Sequence, residues 1–402
     1  MSKIKLASLV DCTGCLACID ACGKKAIKFE YRVDGHLYPK IQTDKCVGCH
    51  KCVSVCPVVN EKAYGNNNDK DKTSIYAAWI NDREVRRKSA SGGVFAAVAI
   101  SFLKNGDYVC GVKLEGTEAK HVIIDKMEDL KFIQGSKYLQ SNISGIYKKV
   151  RDILKRGDKK VLFSGTPCQV AGLLSYVGNV GVERLFCVDI VCGGVPSRLL
   201  VDRLRKTYPK IKSIVSFRDK DDSWKPHGFC YSLKIETEDG IIRIPNNQNL
   251  LIEGFSHSLT NRNSCYHCKF SYLHRRADVT IGDFWGYKQD VDVKDGISLL
   301  LVHSSKASDL LNKLDLTLVR SDVSAAIKCN KRVVYGHKYL YKLFPSRLCM
   351  PQLFTLASDK VLAKLFCIQI SNTDGVYVLF KLLYILILKI NYIIFRVRYG
   401  KY

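Results

Sequence analysis

Two runs of cysteine stand near the start of the 402-residue chain: Cys12, Cys15, Cys18 and Cys22, then Cys46, Cys49, Cys52 and Cys56. Both follow the spacing C-x2-C-x2-C-x3-C, and Pro57 closes the second. Two-residue spacers in a tight loop turn three successive sulfurs toward one point. A fourth thiolate from elsewhere then completes the corners of a cube. That is the ligand set of a [4Fe–4S] cluster, so this part of the chain reads as two clusters that move electrons. Zinc is the competing reading of any cysteine group. It usually takes paired C-x2-C units with a longer gap, and four cysteines within eleven residues suit it poorly.

Residues 5–60 resemble bacterial-type two-cluster ferredoxins, in which the last cysteine of each run ligates the cluster of the other run. The resemblance implies one cluster on Cys12, Cys15, Cys18 and Cys56, and a second on Cys46, Cys49, Cys52 and Cys22. Gly23 departs from the pattern, standing where the first run usually has proline. Glycine leaves that turn looser but removes no ligand.

The rest of the chain must position these groups. A length of 402 residues fits two or three domains. A hydrophobic fraction of 47% calls for a packed core and excludes general disorder. Eighteen cysteines would suit a secreted disulfide scaffold, but such scaffolds are short and follow a signal peptide. The start, Met1 to Ala7 and on to Asp11, has no long apolar stretch and no cleavage site. The chain therefore reads as cytoplasmic, with its cysteines as thiols or metal ligands. A net charge of +25 points to an acidic partner, a nucleic acid or an anionic membrane. No nucleic-acid motif is present and the charge is spread out, which leaves an acidic partner, such as a redox protein, or an anionic membrane surface. Part of the excess Lys and Arg balances the anionic clusters.

Four segments follow. Residues 1–62 form the cysteine-dense unit, and 63–74, with Gly65 to Lys72 polar throughout, read as a linker. From Ile75 to about residue 355, strand and helix signals alternate. Strands are expected over 75–80, 108–114, 160–164, within 182–191, and over 229–236, 241–244 and 297–303, with a buried helix over 94–103. The fold class is thus an α+β ferredoxin-like two-cluster domain followed by a mixed α/β domain. In the tail, 356–402, Val376 to Phe395 is long and apolar enough for a membrane span but contains Lys381 and Lys389. Lysines near a bilayer centre cost about 2.5–3.5 kcal/mol each. Three readings compete: a helix docked on the core or a partner, attachment to a membrane surface at its inner face, or a span. The basic end at Arg396, Arg398 and Lys401 would meet anionic lipid in the second.

Four further cysteines sit in strand-end contexts: Cys168 in Gly165-Thr166-Pro167-Cys168-Gln169, Cys192 after an apolar strand, and Cys265-x2-Cys268. Strand-end loops are where α/β folds place sites. The four suit a third [4Fe–4S] cluster; a zinc site, a redox pair and buried structural thiols remain alternatives. Cys110, Cys187, Cys230, Cys329, Cys349 and Cys367 stand singly in apolar stretches and read as core. Ser89-Ala90-Ser91-Gly92-Gly93 precedes the expected helix, an arrangement suited to phosphate. Gly135-Ser136-Lys137-Tyr138 adds a lysine and hydroxyls. Ile281 to Gly286 reads as an aromatic turn that either lines a planar cofactor or simply packs.

With Cys192-Gly193-Gly194-Val195-Pro196-Ser197 and Arg276 to Gly286, these segments occur in the order found in the coenzyme F420 hydrogenase/dehydrogenase beta-subunit family, which the chain resembles over about 75–305. The resemblance implies a flavin-binding α/β domain holding FAD and an iron–sulfur cluster. On that basis Ser91, Gly92, Gly93, Ser136, Lys137 and Tyr138 are candidate flavin contacts, and Cys168, Cys192, Cys265 and Cys268 candidate ligands of the extra cluster. Relatives exchange electrons with F420, a chlorophyll derivative, or substrates in surface-polysaccharide gene clusters. The expected activity is an iron–sulfur flavoprotein oxidoreductase, with a non-catalytic electron-transfer subunit docking an acidic partner as the alternative. No catalytic acid is identified: Asp189, Asp283 and His267 each have a structural explanation as well.

Overall fold

The computed structural model describes residues 4–60, 73–218, 220, 232–245, 249–256, 258, 260–287 and 295–335. The linker at 63–74, except its last two residues, lies outside the described residues, as do Cys230, Cys349, Cys367, the tail at 356–402 and the side chain of Cys329. Among the described residues no helix is long and apolar enough to cross a membrane.

Each N-terminal cysteine loop runs into a short helix, α1 (Ala17–Asp20) after the first and α2 (Lys51–Ser54) after the second. Between them lies an antiparallel hairpin, β1 (Ile27–Tyr31) with β2 (Leu37–Ile41). The sequence repeat is also a backbone repeat. Gly14 and Leu16 in the first loop, and Gly48 and His50 in the second, have φ of 68°, 69°, 71° and 56°. Left-handed residues at equal offsets wind both loops the same way. Leu16 and His50 are not glycine, so each holds a conformation that costs about 1–3 kcal/mol.

The remainder is built on a nine-stranded sheet ordered β14 (Leu316–Ser321), β3 (Ser74–Ile80), β13 (Ser298–Val302), β12 (Val279–Asp283), β8 (Leu185–Ile190), β7 (Val161–Gly165), β4 (Tyr108–Glu115), β5 (Glu118–Ile124), β6 (Ser141–Asn142). The central strands β12, β8, β7 and β4 are parallel. They are short and apolar because helices cover both faces. Val161 and Phe163 face α6 (Ile146–Arg156) and α7 (Pro167–Val177). Leu162, between them, faces α4 (Val94–Lys104) and α10 (Ser305–Leu311) on the other side. A second sheet of β9 (Ile211–Ser216), β10 (Ser232–Thr237) and β11 (Gly240–Pro245) packs with α8 (Leu199–Thr207) and α9 (Leu250–Ser256). The other helices are α3 (Arg83–Lys88), α5 (Leu130–Ile133), α11 (Val323–Cys329) and α12 (Arg332–Tyr335). The fold is thus a mixed α/β unit with a ferredoxin-like unit packed on it.

The expected strands and the helix at 94–103 are present where the residues are described. Ile281 to Asp283, expected to open an aromatic turn, instead end β12, and the turn follows from Phe284. Strands β1, β2, β5, β6, β9, β12 and β14 lie outside the strands expected from the sequence.

The two units are joined through a carboxylate. Asp20, at the end of α1, accepts hydrogen bonds from the backbone N–H groups of Gly145 (2.6 Å), Tyr147 (3.0 Å) and Lys148 (3.3 Å). The ferredoxin unit therefore caps helix α6 of its neighbour, satisfying donors that a helix start leaves open. Replacing Asp20 by Ala should cost about 0.5–2 kcal/mol, the range for a lost cap. A lower urea midpoint for Asp20→Ala, partly restored in Asp20→Asn, is the expected outcome; an unchanged midpoint would deny the cap its role.

Candidate functional site

The cysteines form three groups, two in the ferredoxin-like unit and one in the α/β unit. Burial pushes the thiols of Cys12, Cys15 and Cys18 upward, and the nearby Cys56 adds to the shift of each. Burial also raises Cys52, which has Cys22 and Cys49 as further electrostatic neighbours. The last cysteine of each run thus stands beside the other run's loop. Cys49 is exposed, whereas Cys15 and Cys52 are buried, so the second group reaches the surface and the first faces the α/β unit.

The third group is assembled from two strand-end segments, after β7 and after β8, and the short helical turn Asn263–His267 that leads into Cys268. Gly165-Thr166-Pro167-Cys168-Gln169 starts α7: Thr166 is the N-cap, Pro167 the first helical residue, and the Gln169 side chain accepts from Thr166 N at 3.0 Å. This capping box puts Cys168 in the first helical turn. Cys192 follows β8. Its loop is tied to the segment before Cys265 by an antiparallel bridge between Pro196 and Asn261 and by Arg262 N donating to Val195 O. Burial raises Cys168 to about 11 and Cys192 to about 12, and Cys265 well above its usual value. Cys192 and Cys265 each count Cys168 and Cys268 among their electrostatic neighbours, so the four sulfurs converge.

Four converging, partly exposed thiols of this kind are the ligand set that a [4Fe–4S] group would take. Zn–S bonds of about 2.3 Å draw four sulfurs to within about 4 Å of one another. A cube binds each sulfur to a different iron and so holds them further apart. Backbone N–H groups also point at the sulfurs: Ala26 at Cys22 (3.2 Å), Gly194 at Cys192 (3.3 Å), Val195 at Cys265 (3.4 Å) and Phe270 at Cys268 (3.4 Å). Such N–H···S contacts favour the thiolate and tune cluster potentials.

The first and third groups are neighbours: Cys168 is among the electrostatic neighbours of Cys15. Gly172 on α7 has no side chain where Cys15 passes; a Cβ there would meet the Cys15 sulfur at 3.2 Å. Cys56, Cys168 and Cys268 pack around Val58, Ala171 and Phe270. Pro57 and Val58 are buried in this contact, whereas the matching Gly23 faces solvent, which explains why proline is dispensable there.

Beyond the third group opens a cavity of about 810 Å³, within the usual range for a ligand site. It lies at the carboxyl ends of the parallel strands, reaching Gly165, Ile190 and Asp283, with the N-terminus of α4 on one side and Cys192 in its wall. Tyr138 stacks on Phe255 with ring centres 4.4 Å apart, and Phe217 and Trp285 complete an aromatic lining. The lining carries Lys137, Arg218, Lys328, Lys331 and Arg332, and among the described residues a single carboxylate, Asp283. Arg218 holds Asp283 through two bonds of 2.9 and 3.1 Å.

The candidate flavin contacts divide. Ser91, Gly93, Ser136, Lys137 and Tyr138 line the cavity. The Ser91 hydroxyl is turned inward to Ile297 O at 2.7 Å, so this residue offers backbone rather than side chain. Gly92 is not in the lining: its N–H bonds Ser298 Oγ, and a Cβ would strike Ala78 O at 2.2 Å. Lys137 donates to Gln134 O and Gly135 O, and burial lowers its pKa to about 7. Of the three acids considered, Asp283 lines the cavity. Asp189 is buried behind it, paired with Arg275 and bonded by Thr280. His267 pairs with Asp11 beside the first loop. Cys110 and Cys187 are core residues. Arg218, Phe217, Phe255 and the basic residues 328–332 lay outside any motif, and their place is decided by packing.

A mixed α/β sheet with a cavity at the ends of its parallel strands, joined to a two-loop cysteine unit, defines an iron–sulfur protein with a ligand site. The family model described as coenzyme F420 hydrogenase/dehydrogenase, beta subunit N-term, matches residues 75–148, and the corresponding C-terminus model matches 158–319. A 4Fe-4S dicluster domain matches 11–60. The chain belongs to the coenzyme F420 hydrogenase/dehydrogenase beta-subunit family and carries a [4Fe–4S] dicluster domain. Among solved structures, a chain of the F420-reducing [NiFe] hydrogenase complex from Methanosarcina barkeri is similar, at 17% identity and a TM-score of 0.46, covering 67% of this chain and 91% of that chain. No curated protein matches.

The crossed arrangement of ligands is testable by serine substitution. Cys56→Ser should abolish the same EPR signal as Cys12→Ser, and Cys22→Ser the same signal as Cys46→Ser. If Cys56→Ser instead matches Cys46→Ser, each run holds its own cluster.

Proposed function

We propose that this chain is an iron–sulfur flavoprotein oxidoreductase that converts one-electron traffic into hydride exchange at the cavity. The observation that carries the proposal is the position of Cys192: it belongs to the third sulfur group and is also part of the cavity wall. A line of sulfur therefore runs from exposed Cys49, through the first loop and across α7, to the ligand site. A flavin such as FAD supplies the exchange between single electrons and a hydride.

The chain's own residues fit such a ligand. The aromatic lining offers flat apolar surface and excludes water. The start of α4 offers backbone N–H groups and the positive end of a helix, suited to phosphate. Lys137, Arg218 and Arg332 add positive charge. Asp283 is fixed by Arg218, which holds its carboxylate as an acceptor at the strand end. Cys168, Cys192, Cys265 and Cys268 would hold a third [4Fe–4S] cluster. The second substrate, F420 or another small hydride acceptor, would enter the same opening.

Iron, acid-labile sulfide and flavin per chain after anaerobic purification test this directly. About twelve iron atoms and one FAD are expected, falling to about eight iron in Cys168→Ser. About eight iron and no flavin in the unmodified protein would sink the proposal. A loaded protein that reduces a carrier protein but no small acceptor would mark it as a relay subunit.

Lys137 provides a second check. Lys137→Met should weaken flavin retention about 10- to 100-fold, the worth of a hydrogen bond to a charged group. With its pKa near 7, Lys137 attracts an anion only when protonated. Retention should therefore decline as pH rises through about 7, and the Met variant should lose that dependence.

A further inference from the structure

At the seam between the two units lies a buried charge outside the cavity lining. Arg262 has no exposed surface. Its Nη2 donates to Leu37 O and Gln140 Oε1, both at 2.7 Å, and its Nη1 to Cys12 O at 3.4 Å. The guanidinium carbon stands 4.6 Å from the centre of the Tyr38 ring, and Nε has no partner. All of these partners are neutral, and among the described residues no carboxylate pairs with it. A guanidinium does not lose its proton in a protein. Buried without an anion, it would be strongly destabilising.

The missing anion is close by in sequence and in space. Arg262 bonds the carbonyl of Cys12 itself, and Ser264 Oγ donates to that same oxygen at 3.1 Å. Cys265 N donates to Arg262 O at 2.9 Å. The guanidinium is thus wedged beside the first cysteine loop by the segment that leads into the third sulfur group. A cube of iron and sulfide on four thiolates is net anionic, and reduction adds one further negative charge. A fixed cation in a water-poor seam favours the reduced form, because the attraction is weakly screened there. The second cysteine group lies at the surface, where Cys49 is exposed and solvent screens any charge.

We propose that Arg262 raises the reduction potential of the cluster held by Cys12, Cys15, Cys18 and Cys56 above that of the outer cluster. The proposal rests on the two-cluster part of the function above and not on the flavin. An electron arriving at the outer cluster then moves inward: the outer cluster is oxidised, the inner cluster is reduced, and the new charge lands beside Arg262. This gives the relay a direction, from the surface to the cavity.

The test is a redox titration followed by EPR on the full, iron-loaded chain, with the inner signal identified as the one lost in Cys12→Ser. Arg262→Gln should lower the inner potential by at least a tenfold change in reduction equilibrium, about 59 mV for one electron, and leave the outer signal in place. Arg262→Lys should stay near the unmodified protein. Gln140→Glu sets a carboxylate against Nη2 and neutralises the charge in place, although it gives up the Gln140 bond to Gly14 O (3.1 Å); it should lower the same potential. If Arg262→Gln fails to hold iron, Gln140→Glu decides. Unmoved potentials in a loaded variant, or an equal shift in Arg262→Lys and Arg262→Gln, would overturn the proposal. The iron and flavin content of the unmodified protein reports on the flavin separately.

Discussion

The close approach of the first cysteine loop to helix α7 is the contact on which the rest of the structure depends. Cys15, Leu16 and Ala17 do not lie on the surface of the α/β unit; they belong to its core, with Tyr147, Val170 and Leu173. Gly172 opens the space, Asp20 anchors the loop's short helix to α6, and the tip of the β1–β2 hairpin is fixed by Ser197 Oγ on Asp34 O at 2.7 Å. Apolar burial between two units normally buys stability alone. Here it also brings the first cysteine loop up to the third group, because one of the residues packed into this core is a cysteine.

The α/β unit supplies what a small cysteine domain lacks. A ferredoxin-like unit of some sixty residues has too little core to enclose a ligand of dinucleotide size. Parallel strands, covered on both faces, end at one edge and leave a crevice there. Three separate segments reach that edge, after β7, after β8 and before β12, and each carries cysteine. The bridge between Pro196 and Asn261 fastens two of them together. One edge of the sheet thus serves as cavity floor and as sulfur site.

The charge of the chain takes on a different meaning once its place is known. A formal excess of +25 suggests a basic surface. Part of it is instead internal: Arg262 at the seam, Arg275 against Asp189, and Arg218 against Asp283. Two of these cations have carboxylates, and the one beside the first cysteine loop does not. The formal count, which takes every cysteine as neutral, hides the anions such a cation would face.

Much of this was legible in the residues themselves. Spacing in Cys12 to Cys22 and Cys46 to Cys56 determines loop geometry, because adjacent ligands constrain a short chain locally. The apolar runs at 75–80, 161–165 and 298–302 announce buried strands for the same local reason. The Thr166 to Gln169 segment holds a helix start in four residues. Other features depended on the tertiary structure. Cys168, Cys192 and Cys265 are far apart in sequence, and only sheet order brings them together. Ser91 and Gly92 look like ligand contacts, yet one hydroxyl and one N–H are spent on the neighbouring strand. Arg262 and Asp20 belong to no motif, since a side chain that bridges two units has partners set by packing and leaves no local pattern to read. Local geometry is written in neighbouring residues; convergence across a sheet and across an interface is decided by how the whole chain buries its apolar surface.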